Sequence, residues 1–175
     1  MIEAVKEEQL GDCLQVIRAG FKTVADEFGL TPETCATHGA FMCLSRLQRD
    51  FAQGKRMFAF HEDEKIVGFV LLEQLGAETW AMEKLAVLPQ CRHRGHGSAL
   101  VAFAKSEAKQ LGAKKISIGI IEEHALLKDW YALHGFVHVG TKSFAHLPFT
   151  AGFMEYTCDA NRRGELCSPE PCCRH

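Results

Sequence analysis

Leu10, Leu14, Ile17 and Phe21 fall at three- and four-residue steps, the spacing of one helical face. The short segment Ile2 to Val5 before them predicts a first strand. A second helix is expected from Thr31-Pro32-Glu33, where a capping Thr precedes a Pro suited to the first helical position. Its apolar face would be Phe41, Leu44, Leu47 and Phe51. Arg56 to Phe60 and Ile66 to Leu72 flank the polar turn Glu62-Asp63-Glu64-Lys65 and predict a hairpin. Thr79 to Leu88 is a further β run ending at Pro89. The period then turns helical: Leu100, Phe103, Ala104, Ala108 and Leu111 share a side, and Gly112 stops the helix. Lys115 to Ile121 is almost continuously apolar, as for a strand buried on both faces. Ala125 to His134 predicts a short helix ending at Gly135, and Phe136 to Val139 and Phe153 to Thr157 predict the last strands.

This order, β-αα-βββ-α-β-α-ββ, places antiparallel hairpins first and one βαβ crossover after them. It predicts an α+β fold: a mixed, mainly antiparallel central sheet of about seven strands with helices on both faces. Residues 1–157 read as one domain and 158–175 as a Cys-rich tail.

Composition narrows the functional classes. The chain has 175 residues, 47% of them apolar, and a formal net charge of -2. Near-neutral charge argues against a dedicated nucleic-acid or membrane-surface binder. No apolar run is long enough to span a bilayer, and the N-terminus lacks the features of a secretory signal, so a cytoplasmic location is expected. Of the eight cysteines, Cys13, Cys35 and Cys43 sit in periodic segments and read as free thiols. Cys158, Cys167, Cys172, Cys173 and His175 match no paired C-x-x-C zinc spacing, and no metal site is predicted.

The candidate chemistry lies in Pro89-Gln90-Cys91-Arg92-His93-Arg94-Gly95-His96-Gly97-Ser98, a strand-to-helix junction. It could be a plain surface turn, a nucleic-acid patch or a phosphate cradle. A nucleic-acid patch would want interleaved aromatics, and the loop has none. Glycines beside a helix N-terminus let successive backbone N–H groups face an anion. The Gly-Lys-Ser/Thr of a Walker loop is missing, and Leu100 stands where a dinucleotide fingerprint needs its third glycine.

Met82 to Pro89 followed by Arg92-x-x-Gly95-x-Gly97 resembles the acetyl-CoA signature of the GNAT superfamily of N-acyltransferases. Trp130-Tyr131-Ala132-Leu133-His134-Gly135-Phe136 is similar to that family's second motif. The resemblance covers nearly all of residues 1–157 and implies acetyl-CoA as co-substrate. It also implies two splayed strands, ending at Leu88 and starting at Lys115. Leu85, Ala86 and Val87 would then meet the pantetheine arm. The backbone of Arg92, His93, Arg94, Gly95, His96, Gly97 and Ser98 would hold the pyrophosphate, with the arginine side chains complementing phosphate charge. His124 stands seven residues before Tyr131, where many members carry a cofactor-binding Asn.

The reaction the resemblance implies is direct attack of an amine on a thioester. An alkyl ammonium has a pKa of about 10 and must lose a proton before it attacks. The developing oxyanion needs a donor, in this family a backbone N–H at the position of Val87 or Leu85. Tyr131 matches the family's usual acid for the leaving thiolate. For the base, the residues offer Glu83, Glu122 and Glu123, with Glu83 preferred for its place on the strand entering the loop. Gly119 stands where acetylators of ribosomal-protein N-termini carry Glu, and Met82 and Lys84 lie near the paired His positions of arylalkylamine acetylators; both roles are disfavoured. Phe21 to Phe41 and Lys142 to Phe153 would wall the acceptor pocket. The expected acceptor is a primary amine of a small molecule. Protein lysine or N-terminal acetylation, and a non-catalytic acyl-CoA-binding module, are the alternatives. Partners other than small molecules reduce to a homodimer.

Overall fold

The computed structural model describes residues 1–158. Its strands are β1 (Ile2–Ala4), β2 (Arg56–Glu62), β3 (Lys65–Gln74), β4 (Thr79–Val87), β5 (Lys115–Ile121), β6 (Val137–Ser143) and β7 (Thr150–Thr157). Its α-helices are α1 (Leu10–Glu27), α2 (Leu44–Ala52), α3 (His96–Gln110) and α4 (Ala125–Leu133). The strands form one seven-stranded sheet in the order β1-β2-β3-β4-β5-β7-β6. Every pairing is antiparallel except β4 with β5. This is the mixed, mainly antiparallel sheet that the element order predicts.

Strand β3 explains why both faces need a cover. Phe69 and Leu71 enter a core with Leu10, Leu14 and Ile17 of α1 and Leu47 of α2. Val70 and Leu72 point the other way, into a core with Leu100, Val101 and Ala104 of α3 and Phe136. Alternate residues of a strand face opposite sides, so a wholly apolar strand requires helices above and below.

Three expectations change. The Thr31-Pro32-Glu33 signature closes a turn instead of starting a helix. Thr31 and Thr34 exchange side-chain hydrogen bonds to each other's N–H, at 3.0 and 3.3 Å, and Cys35 N–H donates to Thr31 O at 2.8 Å. The residues that follow, with Thr37, His38 and Gly39, are poor helix formers, and α2 begins only at Leu44, so Phe41 lies outside it. Strands β6 and β7 run further toward each other than the apolar pattern showed, to the pair Ser143↔Thr150. Edge strand β6 is almost wholly exposed, so polar Thr141, Lys142 and Ser143 pair there without cost to a core. Strand β5 is not buried on both faces: Ile116, Ile118 and Ile120 enter the α3-side core, while Gly119 is exposed. The reason is its neighbour, because β4 and β5 pair only over Thr79–Ala81 with Lys115–Ser117 and then part. The proposed tail from residue 159 onward lies outside the described residues; Cys158 itself is buried.

Phe69 has no exposed surface. Phe69→Ala should lower unfolding free energy by about 3–5 kcal/mol. Urea titration should show a lower midpoint at unchanged slope; a loss under 1 kcal/mol, roughly the effect of a surface change, would contradict the two-sided core.

Candidate active site

The parting of β4 and β5 opens a cleft of about 1060 Å³. Its walls come from α1, the 35–46 segment, β4, the 92–98 loop, β5, α4 and the turn carrying Leu147 and Phe149.

The free edge of β4 follows from its pairing on the other side. Leu88 N–H donates to Val67 O at 2.9 Å. In an antiparallel ladder, alternate residues turn their backbone groups toward the partner. Ala86 and Leu88 therefore face β3, while Leu85 and Val87 turn theirs toward the gap. The side chain of Ala86 is buried in the α1-side core, so this residue presents neither backbone nor methyl to the gap. A bulge sets this phase: Leu71 pairs with Glu83 but Phe69 with Ala86, and Lys84 takes the left-handed φ of 52°.

The loop departs from the expectation at Arg92, in both backbone and side chain, and at Arg94 in its side chain. Arg92 N–H is taken by Pro89 O at 3.3 Å. Its guanidinium turns inward, donating to Gly20 O at 2.8 Å, Thr23 Oγ1 at 3.1 Å and Val87 O at 3.3 Å. Burial pushes its pKa below the ordinary arginine value. Arg92 thus rivets the loop and β4 to α1. Arg94 pairs with Glu62 at 3.3 Å on the surface. His96 lies on Phe60, centroids 4.4 Å apart, with Nε2 3.5 Å from Glu62. His93 takes a φ of 61° and Gly95, at the start of α3, a φ of 82°. Ala99 N–H bonds Gly95 O at 2.9 Å, so the N–H groups of His96, Gly97 and Ser98 have no acceptor inside the helix. These donors, with the helix dipole, border the cleft and suit an anion.

Helix α4 carries the aromatic motif to the opposite wall. Tyr131 is buried but lines the cleft, edge-on to Trp130 and Phe136. Burial holds its phenol well above the ordinary value, so it keeps its proton at neutral pH. His134, which the sequence gives no reason to separate from any polar residue, docks this helix on the loop. Its Nδ1 bonds Trp130 O at 2.8 Å and its Nε2 bonds Ser98 Oγ at 3.0 Å. Since a carbonyl only accepts, Nδ1 is the donor in the contact with Trp130. His124 stands at the N-cap position of α4 without a side-chain cap bond; it lines the cleft, its ring against Phe28 and its Nε2 3.9 Å from Glu27.

The structure separates the three candidate bases. Glu122 is tied to Lys128 and His138, and those contacts hold its carboxyl below the ordinary value. Glu123 accepts from Thr150 N–H at 3.2 Å. Neither lines the cleft, whereas Glu83 does. Glu83 bonds Lys84 at 3.0 Å, and Lys84 also meets the buried Asp50 at 3.4 Å. Asp50 in turn bonds Lys55 at 2.9 Å, and Lys55 meets Glu73 at 3.1 Å. Sequence reasoning missed Asp50 and Lys84; a carboxylate three residues after the core residue Leu47 on a short amphipathic helix was the signal for Asp50. Among the described residues, no cluster of three or more His, Cys, Asp or Glu could hold a metal, and no helix could cross a membrane.

The sequence matches the profile of the "Acetyltransferase (GNAT) family" over residues 25–136, and the chain belongs to that family. The fold is similar to the N-acetyltransferase from Staphylococcus aureus Mu50, with a TM-score of 0.70 at 17% identity over 91% of this chain and 98% of that one. It is similar to the ribosomal-protein-S18-alanine N-acetyltransferase from Escherichia coli, with a TM-score of 0.72 at 14% identity over 96% and 98%. It is also similar to yncA from Salmonella typhimurium, solved with its cofactor acetyl-CoA, with a TM-score of 0.68 at 13% identity over 95% and 98%.

The Asp50 network gives a pH prediction. Burial pushes the Asp50 carboxyl up, but hydrogen bonding from Lys55 and the charges of Lys84 and Lys55 outweigh it and hold the group below its ordinary value. A carboxyl depressed in the folded state stabilises above its unfolded value of about 4, and that stability is lost as pH falls through the folded value. Wild-type stability should therefore fall more steeply below about pH 4 than that of Asp50→Asn. Parallel pH profiles in denaturant titrations would remove Asp50 from the network.

Proposed function

We propose that this protein is an acetyl-CoA-dependent N-acetyltransferase whose acceptor is the primary amine of a small molecule, acetylated by direct attack in a ternary complex. One observation carries the reading: β4 leaves β5 after a short pairing and puts its free edge, the start of α3 and Tyr131 on one cleft. The residues fit acetyl-CoA. Unpaired backbone at Leu85 suits an amide-bearing arm laid along the strand edge, since buried N–H and C=O groups need partners. The N–H groups of His96, Gly97 and Ser98 suit a diphosphate. The Val87 carbonyl is already engaged by Arg92, which leaves its N–H and the Leu85 groups for the ligand.

Acetyl-CoA supplies an activated thioester carbonyl and a leaving thiol. Glu83 takes a proton from the acceptor ammonium, directly or through a water. The freed amine forms its bond to the acyl carbon while the carbon–sulfur bond breaks. A backbone N–H at Leu85 or Val87 donates to the carbonyl oxygen as charge develops on it. Tyr131, kept protonated by burial, gives its proton to the departing sulfur, and the second proton lost by the nitrogen restores the phenol. The products are an N-acetyl amide and free coenzyme A.

Acetyl-CoA at about one hundred times its dissociation constant should add about 2.7 kcal/mol to stability, raising the melting temperature by roughly 5–10 °C. ATP should give little shift, and millimolar acetyl-CoA without a shift would refute the reading. Tyr131→Phe should lower turnover at least about tenfold with acetyl-CoA affinity changed less than about twofold. Full turnover in that variant would remove Tyr131 from proton transfer.

A further inference from the structure

The acceptor must meet the wall of the cleft built by α1, the 35–46 segment and the turn before β7. Phe21 packs on Gly39 so closely that a Cβ there would fall 2.6 Å from the ring. The His38 ring stands edge-on to Phe21, centroids 5.4 Å apart. Phe149 and Leu147 line the same cleft from the other side. His38 adds no charge to this apolar surface. Its Nδ1 accepts from Ala40 N–H at 3.3 Å, and burial pushes the ring below its ordinary value.

Five fully ionic side chains line the cleft: Glu27, Arg46, Glu83, Lys84 and Arg92, the last already bound to Gly20 O, Thr23 Oγ1 and Val87 O. Two acids against three bases leave no surplus of negative charge to draw a polycation. Glu83 and Lys84 are paired with each other. Arg46 is different. Its Nη1 donates to Thr37 O at 3.3 Å, and no carboxylate among the described residues pairs with it. Arg46 and Asp50 lie four residues apart on α2, about 6 Å between Cβ atoms. Asp50 reaches Lys84 at 3.4 Å, and Lys84 holds Glu83 at 3.0 Å. A guanidinium with free N–H groups thus lines the same cleft as Glu83, one helical turn along α2 from the Asp50 that Lys84 joins to Glu83. Its planar fork matches a carboxylate better than any other anion-binding side chain.

Resting on the acetyltransferase reading above, we propose that the acceptor is an α-amino acid with an apolar side chain. Its carboxylate meets Arg46, its amine faces Glu83, and its side chain lies against Phe21 and His38. The new bond joins the α-nitrogen to the acetyl carbon and the carbon–sulfur bond breaks; of the two protons the ammonium loses, one leaves through Glu83 and the other replaces the one that Tyr131 gives to the thiolate.

The test measures thiol release from acetyl-CoA with L-phenylalanine, L-leucine and L-methionine, with the amines that lack their carboxylates, and with spermidine. The wild type should favour each amino acid over its decarboxylated amine by at least about tenfold in kcat/KM, the effect of one charge-assisted contact, with spermidine poorest. Arg46→Met should shrink that ratio about tenfold, chiefly through the amino acid's KM, and Arg46→Lys should shrink it less. Decarboxylated amines or spermidine used as well as the amino acids would overturn the inference and leave the acetyltransferase reading standing. So would an unchanged ratio in both variants. Thiol release with none of the amines, while acetyl-CoA still raises the melting temperature, would overturn both.

Discussion

The site depends on a hydrogen-bond ladder that stops early. Strands β4 and β5 pair in parallel over Thr79–Ala81 and then diverge, in the middle of an otherwise continuous sheet. A sheet interior normally satisfies every backbone donor and acceptor, and unpaired ones in a buried place are costly. The gap is tolerable because it opens to solvent and can receive a ligand that pairs with it. The bulge at Glu83–Leu85 fixes which residues turn their backbone into the gap. The left-handed Lys84 fixes where the charged side chains go, onto the α2 side beside Asp50.

Arg92 ties the loop to this frame. Its three contacts join α1, the end of β4 and the loop before α3, so the cradle and the free strand edge are tied to one helix. Across the cleft, His134 joins α4 to Ser98 in the first turn of α3. Tyr131 is therefore fixed relative to the same helix start whose N–H groups are offered to an anion. Both ties are made by side chains that a loop-centred reading would assign to ligand or to solvent.

Much of this was legible in the sequence, and the losses have physical causes. The wholly apolar Ile66–Leu72, the helical stripe from Leu100 and the stops at Gly112 and Gly135 report burial and left-handed backbone directly, and the structure keeps them. Thr31-Pro32 misled because a capping motif needs helix formers after it, and Thr37 to Gly39 are not. Arg92 beside glycines suggested phosphate charge, but direction is a tertiary property: α1 presents a carbonyl and a hydroxyl within its reach. The Asp50–Lys84 pair joins residues far apart in the chain, and a local pattern could show only an acid on an apolar face. Glu83 could be told from Glu122 and Glu123 only once the strands had parted and, of these three, it alone lined the cleft.

The central claim is that the unpaired edge of β4 and the start of α3 together hold acetyl-CoA. Amide hydrogen exchange resolved by residue, with and without acetyl-CoA, tests it most directly. Slowed exchange at Leu85 and Val87 and at His96 to Ser98, with β2 and β6 unchanged, is the expected pattern. Protection confined to other elements, or bound acetyl-CoA with Leu85 and Val87 exchanging as fast as before, would contradict the account.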